Sequence, residues 1–142
     1  MRTKIHCYAL LVAVLAIPTP GATLQTDESP EGVYLLNLPS SPLQLTASAN
    51  RRFLNVENHS GRQVRSYRLG CVIERRSGIK LLAKFARDAA NLAPQGPSGE
   101  VHLAILSAYG ERFKLCRAKA AKLAVVEVRF SDGSVWKAKR AT

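Results

Sequence analysis

The sequence has few of the residues from which catalytic and metal sites are built. Among its 142 residues there are 3 cysteines, 3 histidines and 10 acidic residues. The cysteines and histidines show none of the short paired spacings of structural zinc sites, so we predict no metal site and no cofactor. A nucleophile elbow and a glycine-rich phosphate loop are also missing. We therefore predict a protein that is not an enzyme and has no catalytic residues.

The chain also lacks an apolar run long enough to cross a bilayer. The longest run, residues 7–17, has 11 apolar residues, whereas a membrane-spanning helix needs roughly 20. Arg2 and Lys4 precede this run, and small residues follow it, which is the three-part form of a secretory signal peptide. We predict cleavage near Gly21 or Ala22, which gives a signal peptide at 1–22 and a secreted or periplasmic product without a transmembrane anchor.

The residues after the predicted leader have little apolar surface to bury. Residues 18–32 contain three prolines, two glycines and three acidic residues. This composition predicts a disordered spacer at 23–32 and a single domain at 33–140.

From residue 33 onward, short runs of alternating apolar and polar residues are bounded by turn residues, a pattern typical of antiparallel sheet. We predict strands at 33–38, 43–47, 53–58, 63–75, 79–85, 101–105 and 123–130. Residues 87–99 are predicted to form a connection, with a helical turn at its start, and residues 111–122 a short helix or turn. The fold class that follows is all-β, a single antiparallel β-sandwich of about seven to eight strands.

The dipeptide Asp132-Gly133 predicts a hairpin near the end of the chain, because it suits a two-residue type I′ loop. With that loop, Arg129 lies directly opposite Trp136, the only tryptophan. We therefore predict a cation-π contact between the Arg129 guanidinium and the Trp136 ring.

The cysteine count becomes even once the leader is removed. Cys7 belongs to the leader, so the exported product keeps Cys71 and Cys116 in a compartment where thiols oxidise. A disulfide between them is the first interpretation. Two buried, unpaired thiols are the alternative, because Cys71 lies on the apolar face of its predicted strand.

Basic residues greatly exceed acidic ones, and the excess is concentrated in the predicted domain. The chain has 21 Lys and Arg residues against 10 Asp and Glu, and from Gly32 onward the counts are 19 and 7, a net charge of +12. Five bases occur within eleven residues that contain no acid. They are Arg112, Lys114, Arg117, Lys119 and Lys122. This cluster is the predicted anion-binding site, and an ordinary solvated surface is its alternative.

The function that fits these features is surface recognition by an exported protein. We predict binding to a protein partner or to an anionic envelope component or polysaccharide, and no binding to nucleic acid. The alternative is a small secreted hydrolase with its site on the loops at 87–99 and 109–122, which a concave pocket holding His59 or His102 with an acid would favour. Asn58-His59-Ser60 also matches the N-glycosylation acceptor pattern.

The run 53–58, the short turn after it and the strand around Leu69-Gly70-Cys71-Val72 resemble the early hairpin of immunoglobulin-like or fibronectin-type-III-like sandwiches in small exported bacterial proteins. The resemblance covers roughly residues 40–138. It implies a β-sandwich and no catalytic residues. The sequence departs from the antibody pattern, because no tryptophan lies between Cys71 and Cys116, so a disulfide here need not bridge two sheets.

Overall fold

The computed structural model describes residues 32–49, 52–102, 106 and 108–142. The predicted signal peptide and all but the last residue of the predicted spacer lie outside these residues. Within the described ranges, no helix is both long and apolar enough to cross a membrane.

The described part of the chain forms seven strands, one short helix and a 3-10 turn. The strands are β1 (Leu43–Ala47), β2 (Phe53–Asn58), β3 (Val64–Arg75), β4 (Gly78–Leu92), β5 (Gly99–His102), β6 (Ala121–Phe130) and β7 (Val135–Lys137). The helix α1 (Glu111–Lys114) leads directly into the 3-10 turn Leu115–Arg117. The strands make two antiparallel sheets, one ordered β1-β2-β5 and the other β4-β3-β6-β7. The predicted all-β, sandwich-like fold is confirmed.

The main core lies between the inner faces of the two sheets. Successive side chains of a strand point to opposite faces, so alternate apolar residues are buried together. On β1 and β2 these are Leu43, Leu45, Leu54 and Val56, each at most 1% exposed. Side chains of β3, β4 and β6 pack against them from the four-stranded sheet. The segment from α1 to the 3-10 turn adds Phe113 and Cys116 to this core.

A second, smaller core covers part of the outer face of the four-stranded sheet. Its buried members are Val72, Ile79, Ala124, Val126 and Ala138. Leu36 and Leu38, which precede β1, pack against them.

After β7 the chain crosses to the start of β4, at the other edge of the four-stranded sheet. The Ile79 N–H donates to the Lys139 carbonyl (2.9 Å), and the Ala141 N–H donates to the Ile79 carbonyl (2.9 Å). A Cβ on Gly78 would lie 2.5 Å from the Lys139 carbonyl oxygen, so this close approach requires glycine. Among the described residues, the segment before β1 and the segment after β7 therefore cover one part of the outer face and leave the rest of it open.

Two predicted elements differ in the structure. The strand expected at 33–38 is reduced to isolated bridges at Tyr34 and Leu35, and Leu35 pairs in parallel with Leu123. The connection expected at 87–99 is wrong in its first part, because β4 continues to Leu92 while paired with β3, and only residues 93–98 connect β4 to β5. The predicted continuation of the strand at 101–105 beyond residue 102 falls on residues outside the described ranges.

The β6–β7 hairpin has a three-residue loop instead of the predicted two-residue loop. Phe130 N–H donates to the Ser134 carbonyl (3.0 Å), and Gly133 in the loop has a φ of 86°. A three-residue loop with a left-handed glycine at its end is a common hairpin connection. The extra residue shifts the register, so that Arg129 lies opposite Val135 and Trp136 lies opposite Val128. The predicted pairing of Arg129 with Trp136 is therefore wrong.

Candidate functional site

Cys71 and Cys116 form the predicted disulfide, and their Cα atoms are 4.9 Å apart. Both residues are at most 1% exposed. Cys71 lies on β3, an inner strand of the four-stranded sheet, and Cys116 lies in the 3-10 turn. The bond therefore anchors the segment after α1 to the sheet and does not join one sheet to the other.

The structure spreads the predicted basic cluster over four consecutive segments of the chain. Arg112 and Lys114 lie on α1, Arg117 ends the 3-10 turn, Lys119 lies in the following turn and Lys122 is near the start of β6.

Three members of this cluster already have partners. Lys114 pairs with Glu111 at 2.6 Å, and Lys122 pairs with Glu74 at 3.4 Å. The Arg117 guanidinium lies 5.6 Å from the centre of the Phe113 ring. These contacts are typical of a solvated surface. The other two members, Arg112 and Lys119, are exposed.

A second group of basic residues, which the sequence analysis did not single out, lies on the open half of the outer face. The strand registers place Arg68 opposite Arg87 on one side and opposite Glu127 on the other, and Glu127 opposite Lys137. Directly opposed residues of antiparallel strands lie on the same face of a sheet. These four residues therefore form a row across all four strands, with three positive charges and one negative charge.

A β-bulge in β3 brings another arginine to this face. Val64 is paired with Phe130 and Ser66 with Arg129, so Arg65 is the extra residue between two consecutive pairs. Bulges of this kind redirect side chains. Arg65 and Ser66 both line one cleft of about 420 Å³, together with Arg87 and Arg129.

We call Arg65, Arg68, Arg87 and Arg129 the arginine face. Glu127 is a carboxylate on the same face, directly opposite Arg68, and it is 7% exposed. Its Oε1 accepts hydrogen bonds from Arg87 Nη2 (2.7 Å) and Arg129 Nε (3.4 Å).

The arginines also control the ionisation of Glu127. Burial by itself would raise the pKa of Glu127, but the hydrogen bond from Arg87 and the charges of Arg68 and Arg87 outweigh it and lower the pKa below its ordinary value. Glu127 therefore stays ionised and offsets part of the positive charge of this face.

The arginine face nevertheless has more positive charge and more hydrogen-bond donors than Glu127 can satisfy. The Nε atoms of Arg68 and Arg87 are buried and have no hydrogen-bond partner. Like charges directly opposite each other on neighbouring strands, as in Arg68 and Arg87, are destabilising. Buried donors without partners are rare in native proteins and call for an explanation. An anionic ligand on this face would offset the repulsion between the opposed guanidinium groups.

We predict that Glu127→Gln costs about 1–2 kcal/mol of stability at neutral pH, because the charge-assisted bonds from two partly exposed arginines are weakened. The folded-state pKa of Glu127 is lowered, so its contribution is complete above the unfolded value of about 4.3 and disappears as the pH falls through the folded value. Urea unfolding of the wild type and the variant at several pH values measures this. The stability difference should be constant above pH ~5 and shrink at lower pH.

Glu100→Gln is the matched control, since Glu100 is an exposed acid on β5. A Glu127→Gln deficit that persists unchanged into the acid range would show that the deficit comes from packing and not from the charge of Glu127.

A different cleft gathers a histidine and an acid. It has a volume of about 340 Å³ and is lined by Glu57, Asn58, His59, Gln95, Gly96 and Ser98. His59 Nε2 lies 2.9 Å from Glu57 Oε2, which is the kind of arrangement predicted to favour a hydrolase. Both side chains are nearly half exposed, at 48% and 46%, so water screens the pair as it does an ordinary surface ion pair. Among the described residues, no group of three or more His, Cys, Asp or Glu side chains could hold a metal ion.

No known protein family, curated protein or solved structure matches this chain. The resemblance to immunoglobulin-like and fibronectin-type-III-like sandwiches therefore stays a prediction.

Proposed function

We propose that this protein is an exported, non-catalytic binding protein that recognises an anionic polymer of the cell envelope or its surroundings through the arginine face. The observation that supports this most strongly is the imbalance on that face, where four arginines accompany one carboxylate and two buried Nε atoms have no partner. Of the two partner classes predicted from the sequence, this imbalance favours a repeating polyanion over a protein.

The location of these arginines on a sheet suits ligand binding. Their backbones belong to three hydrogen-bonded strands, β3, β4 and β6, so little order has to be gained when a ligand binds. Arginine presents its donors in a planar fork that matches sulfate, phosphate and carboxylate groups. The excess of positive charge over the whole domain also attracts anions before contact, an effect that weakens as salt rises.

The proposed export agrees with the disulfide, since such bonds persist in oxidising compartments. An extracytoplasmic location also makes polysaccharides and other envelope polymers more accessible partners than nucleic acid. The alternative of a small secreted hydrolase stays a prediction.

Retention on immobilised heparin tests the proposal. We expect the double variant Arg65→Ala/Arg129→Ala to bind roughly tenfold or more weakly, because each lost guanidinium removes charge-assisted hydrogen bonds. Both residues are exposed and Glu127 keeps Arg87 as its partner, so the fold should survive. Elution salt and the dissociation constant for soluble heparin are the measurements.

Arg75→Ala/Arg76→Ala is the matched control, because it removes the same charge from two exposed residues at the end of β3 and in the turn that follows. Equal weakening in both double variants would show that only net charge matters, and would contradict the proposal. A second comparison is the triple variant Arg112→Ala/Lys114→Ala/Arg117→Ala in the predicted cluster. Loss of heparin binding only in that triple variant would show that the predicted cluster, and not the arginine face, binds the polyanion.

A further inference from the structure

We propose that the cleft on the arginine face binds one tetrahedral oxyanion, the sulfate or phosphate ester group of its ligand, in preference to a carboxylate. This inference builds on the proposed function, since it specifies the chemical group that the arginine face recognises. It concerns the cleft of about 420 Å³ and the three arginines that line it, Arg65, Arg87 and Arg129.

The three arginines reach the cleft from three different strands. Arg65 comes from the bulge of β3, Arg87 from β4 and Arg129 from β6. The volume is enough for one charged group and part of the residue that carries it, and too small for several sugar units. Ser66 also lines the cleft and offers a hydroxyl that can donate a hydrogen bond.

Two of the arginines that line the cleft already share a carboxylate, although Glu127 itself does not line it. Glu127 Oε1 accepts from Arg87 at 2.7 Å and from Arg129 at 3.4 Å. Each guanidinium has five N–H donors, so most donors of these two arginines are left for a ligand. Arg65, by contrast, has no carboxylate partner among the described residues.

The number of ligand oxygens then separates the two kinds of anion. A sulfate or phosphate ester has three terminal oxygens pointing in three directions, one for each of the three guanidinium groups. A carboxylate has only two oxygens, both in one plane, so three guanidinium groups that approach from three strands have to share them and at least one bonds with poor geometry. Because desolvated donors without acceptors are costly, the tetrahedral group should bind more tightly.

The charges support the same choice. The four arginines of the arginine face and Glu127 leave a net charge of +3. A phosphate monoester carries about −1.5 to −2 at neutral pH and neutralises more of this charge than a carboxylate, which carries one negative charge. Sulfate esters share the tetrahedral geometry with a single charge, so geometry and charge can be separated by comparing the two esters.

Titration calorimetry with three monosaccharides tests the inference. Glucose 6-phosphate, glucose 6-sulfate and glucuronate share the same type of sugar ring and differ in the anionic group that it carries. We expect both esters to bind at least about fivefold more tightly than glucuronate, which corresponds to one lost charge-assisted hydrogen bond. NMR shifts of the Arg65 and Ser66 amides should follow binding. Arg65→Ala should remove the preference for the esters, and Arg76→Ala, an exposed arginine outside the cleft, should retain it.

The outcomes distinguish this inference from the proposed function. If glucuronate binds as tightly as the esters while heparin retention still depends on Arg65 and Arg129, the preference is refuted and polyanion binding stands. If none of the three sugars binds but heparin retention persists, the cleft is not a single-group site and the inference is again refuted. If the esters bind without heparin retention, the cleft accepts small ligands and the polymer proposal fails.

The two esters can also be compared with each other. Tighter binding of the phosphate ester than of the sulfate ester would identify the charge of the ligand as a second determinant of affinity, whereas equal binding would leave its tetrahedral geometry as the sole determinant.

Discussion

Reduction of the Cys71–Cys116 disulfide is expected to lower the free energy of unfolding by about 4 kcal/mol, which corresponds to a fall in melting temperature of roughly 15 °C. The bond closes a loop with a sequence separation of 45 residues, and opening it returns conformational freedom to the unfolded chain. Urea unfolding of the oxidised and reduced protein measures the effect without removing any side-chain volume.

The double variant Cys71→Ala/Cys116→Ala is the control for this prediction. Reductant should not change the stability of the variant, whereas it destabilises the wild type. Because both cysteines are buried, the variant also loses some packing and should be no more stable than the reduced wild type. Two free thiols in unreduced, denatured protein, or a wild type that reductant leaves unchanged, would contradict the prediction.

Reduction of the disulfide should also affect the two basic regions of the molecule differently. The disulfide holds the 3-10 turn that carries Arg117 against β3, so the predicted cluster at 112–122 depends on it. The arginine face lies on strands held by their own ladders and by the core. We therefore expect reduction to increase amide exchange first in residues 111–117. Heparin binding should persist below the reduced melting temperature.

The strands with one buried face were predictable from the sequence alone. β1 and β2 have the predicted bounds. Their alternating apolar residues, Leu43 and Leu45 on β1 and Leu54 and Val56 on β2, are all buried together in only one orientation of each strand. The end of β4 was not predictable in this way. Residues 88–91 include alanines, an aspartate and an asparagine, which are depleted in strands, and they become strand because β3 pairs with them.

The arginine face was not predictable, because it depends on how four strands are aligned. Alternation places Arg68 outward, but Arg87 falls in the predicted connection at 87–99, and only the register sets these two arginines opposite each other and beside Glu127. Bulges in β3 change that register, and one of them turns Arg65 to the same face as Ser66. The basic cluster at 112–122 was predicted as the anion-binding site because its charges are close together in the sequence. The arginine face joins charges that are separated by up to 64 positions.

Asn58 shows how a sequence motif can have a structural role instead of the expected one. Its side chain is 6% exposed, and Nδ2 donates to the carbonyls of Arg62 (2.7 Å) and Leu92 (2.9 Å). Its Oδ1 accepts from the backbone N–H (3.0 Å) and the hydroxyl (2.6 Å) of Ser60. The amide therefore connects the end of β2 to the following turn and to the end of β4 in the other sheet. A glycan on Nδ2 would remove a hydrogen that these bonds use, so the acceptor pattern marks a structural asparagine in the folded protein.

Asn58→Ala is expected to cost about 2–4 kcal/mol, because two carbonyls and the Ser60 amide lose their partners inside the fold. Asn55→Ala is the matched control on the same strand. Asn55 is half-buried, so its loss should cost less than about 1 kcal/mol. Equal losses in the two variants, measured by urea unfolding, would refute the role of the amide.

Asn58→Asp provides a test that depends on pH. An ionised carboxylate cannot donate to the carbonyls of Arg62 and Leu92, so at neutral pH this variant should be at least as unstable as Asn58→Ala. Burial and the facing carbonyls should raise the folded-state pKa of the new carboxyl above its unfolded value of about 3.9. Stability is then regained as the pH falls through the raised value, because the protonated form can donate one hydrogen bond. Asn58→Ala has no group to protonate and should show no such recovery, so parallel pH profiles of the two variants would exclude the hydrogen-bonding role of Asn58.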